Sequence, residues 1–246
     1  MTTLLPENSK RKFHPVHRDP QHDFIIKSNE NVYFRASRFH LARVSTFFAD
    51  MFNTGTKNRL DDVFTLDYPT RVIDLFLDLV YASTPSVPKI DDVTIAYSLV
   101  DITESTLCSS EIRDVVQIGL LEAARKHPQA ALTLASHRKD LLTAKTALSS
   151  FSKSFALGKS GNECKEKMDD LYKLLDELDP TYAYELLRHL LVPGQLRPEI
   201  GNDPYQCVFF IRSNWTKTAE AFDPDRLTIE RRKVVDLKLK EAVGWM

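Results

Sequence analysis

Between Asp23 and Tyr81 the hydrophobic period of the chain changes from two to three or four within a few residues, and this limits what the chain can fold into. Phe24 and Ile26 alternate with Ile25 and Lys27. After Asn29-Glu30-Asn31 the segment Val32-Tyr33-Phe34-Arg35 alternates again, so two short strands joined by a turn are expected. Leu41, Val44, Phe48, Met51 and Phe52 then recur at helical spacing, with Ser45 placed to cap a second short helix. The run Val63-Phe64-Thr65-Leu66 reads as a third strand, and Asn53 to Asp62 as an exposed loop. A helix from Thr70 to about Tyr81 is apolar except at Arg71, Asp74 and Asp78. A helix with so narrow a polar stripe must be covered on most sides.

After Pro88, Asp91 is expected to cap a helix carrying Val93, Ala96, Tyr97 and Val100, with Asp92 favourable near its positive end. From about Cys108 the pattern is helix after helix. Ile112, Val115, Val116, Leu120 and Ala124 mark one, and Pro128 opens another carrying Ala131, Leu134 and Ala135. Leu141, Ala144, Leu148 and Phe151 mark a third. Met168, Leu171, Leu175 and Leu178 precede a further helix with Tyr184, Leu187 and Leu191 on its apolar face. Val208, Ile211, Trp215, Thr218 and Phe222 are again helically spaced. No motif repeats at a fixed period, so an irregular bundle is expected rather than a solenoid.

The 246 residues, 43% of them hydrophobic, suffice for one moderate or two small globular domains. With 33 Lys and Arg against 34 Asp and Glu, the chain has no overall field to draw in nucleic acid or an anionic membrane. No stretch approaches the roughly 18 apolar residues of a membrane span, and the start, MTTLLPENSKRK, does not read as a secretory signal. Cys108, Cys164 and Cys207 lack paired spacing, so neither a disulfide framework nor a zinc knuckle is readable and a reducing, intracellular compartment is expected.

Catalytic chemistry finds no support in spacing. Asp61-Asp62 and Asp91-Asp92 are adjacent carboxylates, which point in different directions on a helix or strand. Glycine is scarce at seven residues, and no phosphate-cradling GxxxxGK or GxGxxG occurs. His127, His137 and His189 fall at helix ends or polar faces. His14, His17 and His22 lie in a segment expected to be flexible and show no metal-ligand spacing with nearby Asp19 and Asp23 or with any cysteine, so no metal site is expected. No enzyme, cofactor or metal is therefore anticipated. Residues 1–20, with three prolines and the basic Lys10-Arg11-Lys12, are expected to be a flexible tail.

Over about Gln21 to Val116 the residues resemble a BTB/POZ domain. FRASRFHLARVSTFFADMF matches the pattern FxxHkxxLaxxSxxFxxmF, and VIDLFLDLVY matches FxxlLxfiY, with Phe34, Leu41, Ser45, Phe48, Met51, Phe52 and Tyr81 at the favoured positions. Asp101 takes the acidic place of the alanine-aspartate pair. Ser37 replaces the usual histidine after the second strand, and Val100 the alanine before Asp101. The helical continuation, including HPQAALTLASHRKD and Trp215, is similar to fungal BTB proteins with a helical C-terminal extension.

The resemblance implies an α+β fold: a BTB/POZ domain over 21–118, with a short three-stranded sheet flanked by helices, followed by an all-α helical region over 119–246. It also implies a non-enzymatic protein-interaction module that forms homodimers and docks protein partners in the cytoplasm, the nucleus or both. Two alternatives follow from the family, a substrate adaptor of a cullin-based ubiquitin ligase and a transcription-associated regulator, the latter drawing on the basic tail. Adaptors carry a hydrophobic residue two places before a glutamate in the loop after the second helix. Asn53-Thr54-Gly55-Thr56 stands there instead, with Leu60-Asp61-Asp62 further on. Phe52, Asn53, Thr54 and Tyr81 would lie on the corresponding protein-interaction surface, Phe52 and Tyr81 serving more as packing residues.

Overall fold

The computed structural model describes residues 11–54, 63–151, 170–190 and 215–226. The chain divides into two compact units, Met1–Glu122 and Ala123–Met246.

The first unit is built on a sheet of strands β1 (Phe24–Lys27), β2 (Tyr33–Ala36) and β3 (Val63–Thr65) in the order β2-β1-β3. β1 and β2 are antiparallel, pairing Phe24 with Ala36 and Ile26 with Phe34. β3 joins the other side of β1 in parallel. The hairpin closes where expected. Asn31 takes a left-handed φ of 61°, a conformation asparagine tolerates well. The Ser28 hydroxyl accepts from the Val32 amide at 3.1 Å.

Helices α1 (Arg38–Val44) and α2 (Thr46–Asn53) follow, each capped by a serine. Ser37 Oγ accepts from the His40 amide and Ser45 Oγ from the Phe48 amide. Ser45 also donates to the carbonyl of Thr106, while the Thr46 amide donates to Leu107 O at 3.2 Å and the Ser109 amide to Val44 O at 2.8 Å. One serine thus starts α2 and ties the α1–α2 junction to the end of α4 (Val93–Ser105) and the start of α5 (Ser110–Lys126). Asn53, expected in a loop, is instead the last residue of α2 and Thr54 its C-cap, because apolar spacing alone does not mark where a helix stops.

Helix α3 (Thr70–Tyr81) buries Val72, Ile73, Leu75, Phe76, Leu77, Leu79 and Val80, leaving Arg71, Asp74 and Asp78 as its polar stripe. Its Pro69 cap position offers no side-chain acceptor. The Thr70 amide is met instead by Glu30 Oε2 of the hairpin turn at 3.1 Å, and the Thr70 hydroxyl lies 3.1 Å from that of buried Ser28. Asp92, not Asp91, caps α4, because its carboxylate is the one that reaches the Thr94 amide, at 2.7 Å.

Residues 11–22 differ most from expectation. They run along the free edge of β2: Tyr33 N donates to Lys12 O at 2.9 Å, His14 N to Tyr33 O at 2.8 Å and Arg35 N to His17 O at 2.9 Å. The chain's own segment thereby satisfies an edge that would otherwise offer unpaired amides and carbonyls.

The second unit is helical throughout its described residues: α6 (Pro128–Arg138), α7 (Leu141–Ser150), helical residues 170–177, α8 (Pro180–Leu190), α9 (Trp215–Ala221) and a 3-10 turn (Pro224–Arg226). α7 packs on α6 and α9, with the Phe151 and Trp215 rings 5.0 Å apart. α8 buries Tyr182, Glu185, Leu186 and Leu190 rather than the expected Tyr184 and Leu187, and Leu191 lies outside the described residues, as do Met168, Val208 and Ile211.

The reason is a buried carboxylate. Glu185 Oε1 accepts from Arg188 Nη2 at 2.6 Å and the Asp223 amide at 3.1 Å, with His189 Nε2 also 3.1 Å away. Burial pushes the Glu185 pKa up, but these donors outweigh it and hold the group below its ordinary value.

Two substitutions test these anchors. Ser45→Ala removes a cap and a tertiary hydrogen bond and is expected to cost about 1–2 kcal/mol in urea unfolding. Glu185→Gln should cost about 2 kcal/mol at neutral pH. Because the folded-state pKa is depressed, this difference from wild type is fully present above the ordinary glutamate value and shrinks as pH falls below it, as chemical unfolding at several pH values would show.

Candidate protein-interaction surface

The expected interaction residues fall on either side of the start of α1. The half-buried Phe52 ring packs edge-on to Phe24, centroids 5.1 Å apart, and against Phe48 at 6.0 Å. Arg38, the first residue of α1, covers it with its guanidinium 5.2 Å from the ring centre and pairs with Asp23 at 3.0 Å. Asn53 and Thr54 are exposed at the end of α2, where the Thr54 hydroxyl donates to Asp50 O at 2.9 Å. Gly55, Thr56 and Leu60-Asp61-Asp62 lie outside the described residues.

Tyr81 reaches α1 from the other side. Its hydroxyl accepts from the Ser37 amide at 2.8 Å and lies 3.2 Å from His22 Nδ1, so the last residue of α3 holds the cap residue of α1. Burial raises the Tyr81 phenol above its ordinary pKa, against the opposing pull of the Ser37 amide. Rings surround it, with centroids 5.0 Å away for His40, 5.4 Å for His22 and 5.8 Å for His17. Phe52 and Tyr81 are therefore packing residues at α1, while Asn53 and Thr54 are exposed.

Phe39, which sequence patterning did not single out, is 71% exposed. α1 buries only Leu41, so this aromatic projects from the helix that Tyr81 and Phe52 hold in place. The available signal was its position: two residues before Leu41, Phe39 cannot share Leu41's face.

A second grouping also escaped the sequence reading. Pro15 and Val16 separate His14 from His17 in the segment beside β2, and the two rings stack at 5.5 Å. His14 Nε2 stands 3.7 Å from Asp74 Oδ1, and His17 Nε2 3.4 Å from both Asp74 Oδ1 and Asp78 Oδ1. The acidic partners come from α3, whose polar stripe presents Asp74 and Asp78 one turn apart. His17 is buried, and burial lowers its pKa despite the raising pull of Asp78 and Asp74. His14 Nδ1 and His17 Nε2 are both buried without a hydrogen-bond partner.

Residues 16–111 match the BTB/POZ domain family. The segment is accordingly a BTB/POZ domain with a small three-stranded sheet, and many helices follow it. This family comprises protein–protein interaction modules and is not typically enzymatic. No curated protein matches the chain.

Tyr81→Phe keeps the ring and deletes the acceptor of the Ser37 amide. The expected cost is about 1–2 kcal/mol of unfolding free energy, measured by urea denaturation, and a variant as stable as wild type would remove Tyr81 from this anchoring role.

Proposed function

We propose that this protein is a non-enzymatic docking module in which residues 21–118 pair with a second copy of the chain and the helical region from residue 119 engages a further protein inside the cell. The observation that carries this reading is the BTB/POZ match together with exposed Phe39 on α1, a helix that buries a single side chain. An aromatic held out on a helix of fixed position is the kind of anchor that protein interfaces use. Such a patch meeting its own copy would produce a two-fold dimer.

The cullin-adaptor alternative gains less support. Its described contact positions Asn53 and Thr54 are polar and offer no hydrophobic anchor. The transcription-associated alternative rests on the basic Lys10-Arg11-Lys12. Of these, Arg11 already lies over the Tyr33 ring at 5.6 Å and Lys12 contributes its backbone to the β2 edge.

Light scattering at a few tens of micromolar should report a species of twice 28.2 kDa, and Phe39→Glu should weaken the dimer at least about tenfold. A 28.2 kDa monomer under these conditions would rule out pairing. Affinity purification from the native cell identifies the further partner, and a cullin recovered directly would favour the adaptor alternative.

A further inference from the structure

We propose that His14, His17 and Asp74, completed by Asp78, form a binding site for a divalent transition-metal ion, with zinc the best fit, that fastens the segment beside β2 to α3. Among the described residues, His14, His17 and Asp74 are the group whose ligand atoms all lie within 4.8 Å of one another. Donor atoms bound tetrahedrally to zinc at about 2.0–2.2 Å stand about 3.3–3.6 Å from one another. Three of the separations, His17 to Asp74 and to Asp78 at 3.4 Å and His14 to Asp74 at 3.7 Å, are close to edges of such a tetrahedron, and the donor atoms of His14 and His17 stand within 4.8 Å of each other.

A single hydrogen bond leaves part of the site unmatched. His17 is 7% exposed, and its Nε2 faces two carboxylate oxygens, each 3.4 Å away, without a well-aligned hydrogen bond to either. One N–H cannot serve both, whereas one cation can. Two carboxylates and two neutral imidazoles would balance a doubly charged ion, with Arg71 beside Asp74 adding one further positive charge at the partly exposed rim of the site.

The ligands are held in position from outside the group. Asp74 Oδ2 is taken by Arg71 Nη1 at 2.7 Å, which leaves Oδ1 turned toward the histidines. The His14 ring stacks on buried Phe34 at 4.8 Å, and the His17 ring on Tyr81 at 5.8 Å. Asp78, 60% exposed, has the freedom to rotate onto the ion. Mixed imidazole and carboxylate donors suit zinc and cobalt better than calcium or magnesium, which prefer oxygen alone.

Titration of the full, metal-stripped chain with cobalt is the test. The expected result is one equivalent bound, with the visible absorption of a four-coordinate nitrogen and oxygen site, displaced by zinc. Asp74→Asn should abolish it, and Asp78→Asn should weaken it at least about tenfold, in the range seen when metal-site partners are removed. Zinc should raise the melting temperature of wild type and leave Asp74→Asn unmoved. Far-UV circular dichroism establishes that each variant is folded. Should Asp74→Asn not fold, the more exposed Asp78→Asn decides, and unchanged affinity there overturns the proposal. It is equally overturned if wild type takes up no cobalt, or if the absorption survives the substitutions with the charge-transfer bands of thiolate ligation, which would mark a cysteine site elsewhere.

Discussion

Helix α3 sets the terms for the first unit. Seven of its twelve residues are buried and only Arg71, Asp74 and Asp78 break the apolar surface, so the helix is stable only when other elements surround it. Side chains of this size contribute about 1.5–3 kcal/mol each when fully buried, far more than any single cap or ion pair nearby. The remaining polar line is where the segment carrying His14 and His17 settles, and its carboxylates determine the chemistry at that contact.

Elements that depend on neighbours in sequence were legible in advance. The hairpin, the serine at Ser45, the apolar run of α3 and the proline opening α6 all follow from local spacing and local residue chemistry, and the structure has them. Features that depend on distant partners were not. The edge of β2 is covered by residues whose own sequence shows no strand pattern, because a segment added to an edge through backbone groups needs no alternation of side chains. The face of α8 was misplaced for a related reason. Glu185 looks like a solvent residue until Arg188, His189 and the Asp223 amide are brought to it. At the candidate surface, Phe52 and Tyr81 were recognisable as aromatics in a packed block, but the cation over one and the amide held by the other are tertiary facts.

The interaction role rests on a division of labour around α1. Leu41 anchors the helix in the core, Ser37 and Ser45 terminate it, and Tyr81 and Arg38 set its start. Phe39 makes none of these attachments and is exposed. A docking surface that is rigid before the partner arrives loses less side-chain and backbone freedom on binding, which favours affinity from a small contact.

The contact between the hairpin turn and the first turn of α3 has a consequence for the order in which the domain assembles. Because Pro69 cannot cap the helix and Glu30 does so from 40 residues earlier in the chain, closing that turn requires the loop between them to have closed first. A hairpin paired one residue out of register would turn Phe34 to the opposite face and carry Ser28 away from Thr70. The first turn of the helix is thus fully satisfied only when the hairpin holds its native register.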